Sequence, residues 1–185
     1  KSMRREPNGV LDANHLALSD INIGIDSLRF LSPELKVKVK YAEAKEKSGL
    51  TLSSLAADVA MDSTQLRLDG MLKTPSSHIG ARLLMDLDAF TPAADNTSGE
   101  GKVKADIDAS IGKRDIVLLT NGTSAAQFGS MLPEYPLIIK GGAEGNLRRV
   151  LIHTMSVEMP TLFSLSASGN AEGFMQLAND PYSND

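Results

Sequence analysis

The sequence predicts an all-β fold of antiparallel strands, each with one apolar and one wet face. Three observations carry this. Apolar and polar residues alternate with a period of two, helical spacing is poor in the same segments, and Gly-, Asn-, Asp- and Pro-containing turn signals interrupt the runs. Strands of roughly five to ten residues between such signals amount to about a dozen strands.

The first run, "LALSDINIGIDSLRF", changes phase twice. Leu16 and Leu18 are in step, Ile21, Ile23 and Ile25 are shifted by one residue, and Leu28 and Phe30 shift back. The dipeptides Ser19-Asp20 and Asp26-Ser27 sit at the changes, where a bulge or tight turn restores a common face. "LKVKVKYAEA" follows, with Leu35, Val37, Val39 and Tyr41 opposite Lys36, Lys38 and Lys40. Ile79, Ala81, Leu83, Met85 and Leu87 form a further apolar row. So do Val103, Ala105, Ile107, Ala109 and Ile111, opposite Lys102, Lys104, Asp106, Asp108 and Ser110. Breaks are expected at "KSG", "DST", "DG", "TPSS", "NTSGEG", "NG" and "GGAEGN". One stretch lacks alternation: Ser124 to Met131 suits a short helix or an irregular crossover before Pro133. Residues 1–9, with their locally basic start, read as a disordered, frayed tail, 10–175 as one repetitive β domain, and 176–185 as a polar tail.

Composition narrows the function. Of 185 residues 42% are hydrophobic and 23% charged, as in a folded chain. The net charge of −4, with acids and bases interspersed, lacks the basic face that nucleic acid demands. With no cysteine, the chain has no disulfide, zinc–thiolate site or thiol nucleophile. No apolar run reaches the roughly 18 residues of a membrane-spanning helix, and the sequence shows no signal peptide. A targeting signal is therefore expected elsewhere, as in a piece of a longer protein.

Catalytic and metal chemistry find little purchase. His15, His78 and His153 stand far apart in sequence without metal-ligand spacing, although His78 and His153 follow similar strands. Asp86 with Asp88, and Asp106 with Asp108, pair acids on one strand face about 7 Å apart, which reads as a solvated face. Ser76, Ser77 and His78 are sequence neighbours, and neighbours on a strand point apart, so they make no proton relay. "GGAEGN" precedes no helix and so makes no phosphate cradle. The expectation is a protein that is not an enzyme, with no cofactor and no metal.

Internal similarity is more informative. "LKTPSS" (Leu72 to Ser77) has a counterpart in "VEMPTL" (Val157 to Leu162), each between strand-like segments. Pro75 and Pro160 lack a ladder donor and mark strand ends, and the hydroxyls of Ser76 and Thr161 are placed to bond nearby backbone.

Over about Val10 to Phe174, three segments carry a family likeness. "LDANHLALSDINIGIDSL", "KEKSGLTLSSLAADVAMDSTQLRLDGMLKTPSSHIGA" and "YPLIIKGGAEGNLRRVLIHTMSVEMPTLFSLSASGNAEG" resemble internal segments of the AsmA-like superfamily, TamB type, in its Bacteroidetes form. That resemblance implies an elongated, curled antiparallel β-sheet, a trough with an apolar interior. It also implies a periplasmic protein anchored in the inner membrane by a helix absent here. Members of that family are implicated in moving phospholipid, and in assembling outer-membrane proteins with an Omp85-type partner. Neither the anchor nor a partner-binding region is recognisable in this chain.

Aliphatics facing inward would line such a trough: Val37, Val39, Tyr41, Val59, Met61, Leu66, Leu68, Ile79, Leu83, Met85 and Leu87 in the first half. Val103, Ile107, Ile116, Leu118, Ile152, Phe163 and Leu165 would do so in the second. Eight methionines suit mobile acyl chains. The same pattern fits a dry core between the sheets of a two-layer β-sandwich, and the resemblance alone favours the trough. The function expected is non-enzymatic shielding of phospholipid acyl chains or outer-membrane protein segments, with self-association through sheet edges or apolar faces. A structural or glycan-binding sandwich is the alternative, disfavoured for sugars by the absence of Trp and the few Tyr and Phe.

Overall fold

A computed structural model describes residues 16–89, 101–121, 126–146 and 149–172. They form one open antiparallel sheet of ten strands. These are β1 (Leu18–Leu31), β2 (Glu34–Glu46), β3 (Thr51–Leu52), β4 (Ser54–Met61), β5 (Gln65–Lys73), β6 (His78–Asp86), β7 (Val103–Ile111), β8 (Leu137–Gly145), β9 (Arg149–Met159) and β10 (Phe163–Glu172). Each strand pairs with its neighbour in sequence, and the short β3 lies off the path beside the end of β2. Two short helices, α1 (Lys113–Thr120) and α2 (Ala126–Met131), join β7 to β8. Of the short helix or irregular crossover open for Ser124 to Met131, the helix forms, as α2 over Ala126–Met131. Among the described residues no helix is long and apolar enough to cross a membrane.

Register keeps the aliphatics together. In an antiparallel ladder paired residues share a face, so a single run of partners can be followed across the sheet. One such run is Val37, Val59, Leu68, Leu83, Ala105 and Ala143, which ends at Ile152. Its counterpart on the other face is Lys38, Asp58, Asp69, Arg82 and Asp106. The sheet thus has an apolar face and a charged face, and no second layer covers the apolar face among the described residues. The two-layer sandwich gives way to a single open sheet.

The phase shifts of the first strand are bulges. Asp20 and Ile21 together oppose Ala44, with Asp20 at a φ of 52°, and a second irregularity falls between Ile25 and Ser27. They return Leu18, Ile23, Ile25, Leu28 and Phe30 to partners on the apolar face. A further shift was not foreseen. Val39 pairs with Ile25 but Tyr41 with Gly24, so Lys40 is an extra residue in β2. Tyr41 consequently turns to the charged face, where its ring lies over Gly24, and Ala42 and Ala44 take the apolar positions.

Two expected breaks are not breaks. Asp69-Gly70 lies in the middle of β5, paired with Asp58 and Ala57 on one side and Arg82 and Ala81 on the other. Gly141 and Gly142 lie inside β8, where the backbones crowd: a Cβ on Gly141 would stand 2.9 Å from both Met155 Cα and Thr154 O. The breaks at Ser48, Ser63 and Pro75 are turns, as is Pro160 between β9 and β10. The expected tails and the "NTSGEG" break, apart from Gly101, lie outside the described residues.

Little of the sheet is a conventional core. Among the described residues the buried apolar ones are Ala42, Ala89, Ala109, Leu132 and Met159. Ala109 and Met159 belong to the end of the sheet where the helices and the β9–β10 turn lie, so shielding is greatest there. Elsewhere the aliphatics of the apolar face are half-buried, and those of the edge strand β1 are exposed. Gly141→Ala should lower stability by about 1–3 kcal/mol, because its Cβ meets rigid backbone rather than a movable side chain. A lowered urea midpoint with an unchanged slope checks this.

Candidate apolar groove

The apolar face is built from rows that cross the strands. One row is bulky: Leu55, Leu72 and Ile79, continuing through Ala109 to Ile139 and Val157. The next is small at its centre: Ala57, Gly70 and Ala81, then Ile107 and Gly141. Beyond it Val59, Leu68 and Leu83 are bulky again. Small residues between two rows of large ones make a shallow groove running across the strands. It runs from β4 to β6, two strand spacings or about 10 Å at roughly 4.8 Å each; at β7 the order inverts, with Ile107 between Ala105 and Ala109.

Most expected groove residues lie on this face: Val37, Val39, Val59, Met61, Leu66, Leu68, Ile79, Leu83, Met85, Val103, Ile107, Ile152, Phe163 and Leu165. Four do not. Tyr41 is on the charged face, for the reason given above. Leu87 lies beyond the end of β6, in a turn whose backbone N–H donates to Thr64 O at 2.7 Å. Ile116 and Leu118 belong to α1, where residues two apart project to different sides rather than sharing a face. Leu55, Leu72, Ile139, Met155 and Val157 join the groove face unforeseen. Their signal is weak because "SLAADVAM" puts alanine on both faces, and "LIIK" and "DGML" interrupt strict alternation.

At one end of this face a hollow of about 400 Å³ is lined by Leu16, Leu18, Leu50, Leu52 and Leu72, with Ala44, Glu46 and Thr74. Its only carboxylate is occupied by backbone: Glu46 accepts the N–H of Ser48 at 2.5 Å and of Ala17 at 3.2 Å. The bond from Ser48 holds the Glu46 carboxyl below its ordinary value. The hollow therefore presents hydrocarbon.

A larger hollow of about 710 Å³ lies over the charged face, bordered by Lys38, Asp58, Asp69, Arg82, Asp106 and Asp108 among others. Its charges are paired across strands, Arg82 with Asp69 at 3.2 Å and Lys140 with Asp108 at 3.5 Å. All four side chains are well exposed, so these pairs contribute little to stability, and size alone gives this hollow no chemistry. His78 on β6 and His153 on β9 are separated by β7 and β8 and do not converge; His153 approaches Glu144 at 3.4 Å instead. Among the described residues no group of His, Asp and Glu is arranged to hold a metal. His15 lies outside them.

The "KTPSS" segment is a polar joint. Thr74 Oγ1 accepts the N–H groups of Ser76 (3.2 Å) and Ser77 (2.8 Å), while Thr74 and Ser77 both donate to Asp115 Oδ2. Gly112 N donates to Ser77 Oγ at 3.0 Å, and Gly112 passes so close to Ser76 that a Cβ would collide with its carbonyl. Asp115 and Ser77 are buried, so this network fixes the start of α1 against the β5–β6 turn. The backbone-bonding hydroxyl expected at Ser76 is that of Thr74; Ser76 Oγ is buried without a partner.

Asp115→Ala should cost about 1–3 kcal/mol, since it leaves two hydroxyls without their acceptor. Chemical denaturation checks this. At the opposite end of the sheet, the N–H of Lys102 and the Nε2–H of Gln65 each donate to the Asp86 carboxylate, both at 2.9 Å. First the Lys102 bond and then the Gln65 bond hold the Asp86 carboxyl below its ordinary 3.8. A depressed folded-state value stabilises above the unfolded one and is lost as pH falls through the folded value. Asp86→Asn should therefore flatten the loss of stability below about pH 4, measured by thermal melts against pH. Compared with protein-family models, curated proteins and solved structures, the chain matches none.

Proposed function

We propose that this chain is a non-catalytic length of a periplasmic lipid-shielding trough, its apolar groove covering phospholipid acyl chains between the inner and outer membranes. The observation that carries the reading is an aliphatic face continuous across the sheet, with no second layer over it among the described residues. Such a face is a large exposed apolar surface, which soluble proteins rarely leave without an occupant. The resemblance to AsmA-like proteins of the TamB type points the same way.

Acyl chains suit the groove in shape and chemistry. One bilayer leaflet is about half of the roughly 30 Å hydrocarbon core, so an extended chain is about 15 Å long, and the apolar face from β2 to β9 offers six strand spacings, about 29 Å at roughly 4.8 Å each. Its lining of Leu, Ile, Val, Ala and Met offers no polar group to select one cargo, and flexible Met85 and Met155 adapt to variable guests. Removing apolar surface from water supplies the affinity, at about 25 cal/mol per Å². An Omp85-type outer-membrane partner would engage regions outside this chain.

A charge in the groove tests the reading. Leu83→Asp and Ile107→Asp should each abolish crosslinking to a photoactivatable phospholipid, while far-ultraviolet circular dichroism still reports the sheet. Undiminished lipid capture by both folded variants would contradict it.

A further inference from the structure

Beyond β6 the groove meets an obstacle. On the apolar face Ile107 has Ala105 and Ala109 on either side along β7, Ala81 across from it on β6 and Gly141 across from it on β8. All four neighbours are small, so the Ile107 side chain stands alone in the line of the groove floor. At the other end Val39 on β2, the partner of Ala57, stands in the same line. The floor of Ala57, Gly70 and Ala81 is therefore closed at both ends by a branched side chain, and is about 10 Å long at roughly 4.8 Å per strand spacing.

The two ends differ in what flanks the obstacle. Beside Val39 the apolar face carries Val37, which is bulky, and Ala42, which is only 8% exposed. Beside Ile107 it carries Ala109, 1% exposed, and Ala105, which is open to solvent. Ala105 pairs with another small residue, Ala143 on β8. Among the described residues a guest longer than the floor therefore has one low path off it, over Ala105 toward Ala143.

We propose that Ile107 sets the length of acyl chain the groove holds, stopping the chain on the floor and turning its end over Ala105. This rests on the acyl-chain reading above, and lengths decide it. An extended chain of about 15 Å overruns a floor of about 10 Å by about one strand spacing. Truncating Ile107 to alanine carries the floor on to Gly141, four spacings or about 19 Å from β4, and the whole chain then lies straight. Met155, the partner of Gly141 on β9, closes the lengthened floor. Ile107 is only half-buried, so its truncation leaves an open surface rather than an enclosed cavity.

Calorimetric titration of the full chain with decanoate, which is close to the floor in length, and with palmitate, which exceeds it, tests the proposal. Ile107→Ala should raise the ratio of palmitate to decanoate affinity by about tenfold, the equivalent of about two further buried methylenes. Ala105→Leu blocks the bypass at an exposed position, and should lower that ratio while decanoate binds as before. Gly70→Leu fills the floor, where the first added carbon meets only ordinary contacts such as Leu68 Cδ2 at 3.7 Å, and should weaken both acids. A ratio indifferent to both Ile107→Ala and Ala105→Leu, with both acids bound, overturns the role of Ile107 and leaves the acyl-chain reading standing. Binding of neither acid by the folded, unmodified chain overturns both.

Discussion

Cross-strand registration of aliphatic residues, held without interruption from β2 to β9, is the constraint on which the rest of the structure depends. A strand slipped by one residue would send its whole apolar row to the charged side. The chain therefore absorbs extra residues in bulges at Asp20–Ile21, Asp26, Lys40 and His153, each of which returns the following residues to their face. The two glycines inside β8 serve the same end, since a side chain at Gly141 would force β8 and β9 apart.

A single layer distributes stability unusually. Every strand is paired along the sheet, yet few of the described side chains are fully buried, so the apolar face contributes only part of the hydrophobic stabilisation that a second layer would allow. The compensation lies at the ends. Asp115 ties α1 to the Thr74–Ser77 turn, Glu46 gathers the backbone at Ser48 and Ala17, and Asp86 accepts the amide of Lys102. The fold thus joins polar clasps at its rims to an aliphatic surface at its centre. An apolar guest would complete the missing layer, linking cargo to stability.

The strand class, the two-faced design and the bulges of β1 were legible because period-two alternation is a direct consequence of strand geometry. What escaped was set by tertiary context. Asp69-Gly70 has the composition of a turn, but pairing on both sides holds it extended. Gly141-Gly142 looks like a loop because glycine is permissive, whereas here it is small. Ile116 and Leu118 alternate over too few residues to separate strand from helix, and only the anchoring of Asp115 shows which forms. Tyr41 continues its row perfectly in sequence; the bulge at Lys40 that redirects it has no turn residue to announce it. In the groove, the large residues were visible individually. The valley between them depends on Ala57, Gly70 and Ala81 becoming cross-strand neighbours, which no local pattern encodes.

The central claim is that the uncovered apolar face is a site for acyl chains. Native mass spectrometry of the chain purified from cells without detergent tests it most directly. The account predicts a bound population heavier than the bare polypeptide by phospholipid masses, released on collisional activation. Bare polypeptide alone, from a preparation that retains its β-sheet, would contradict it.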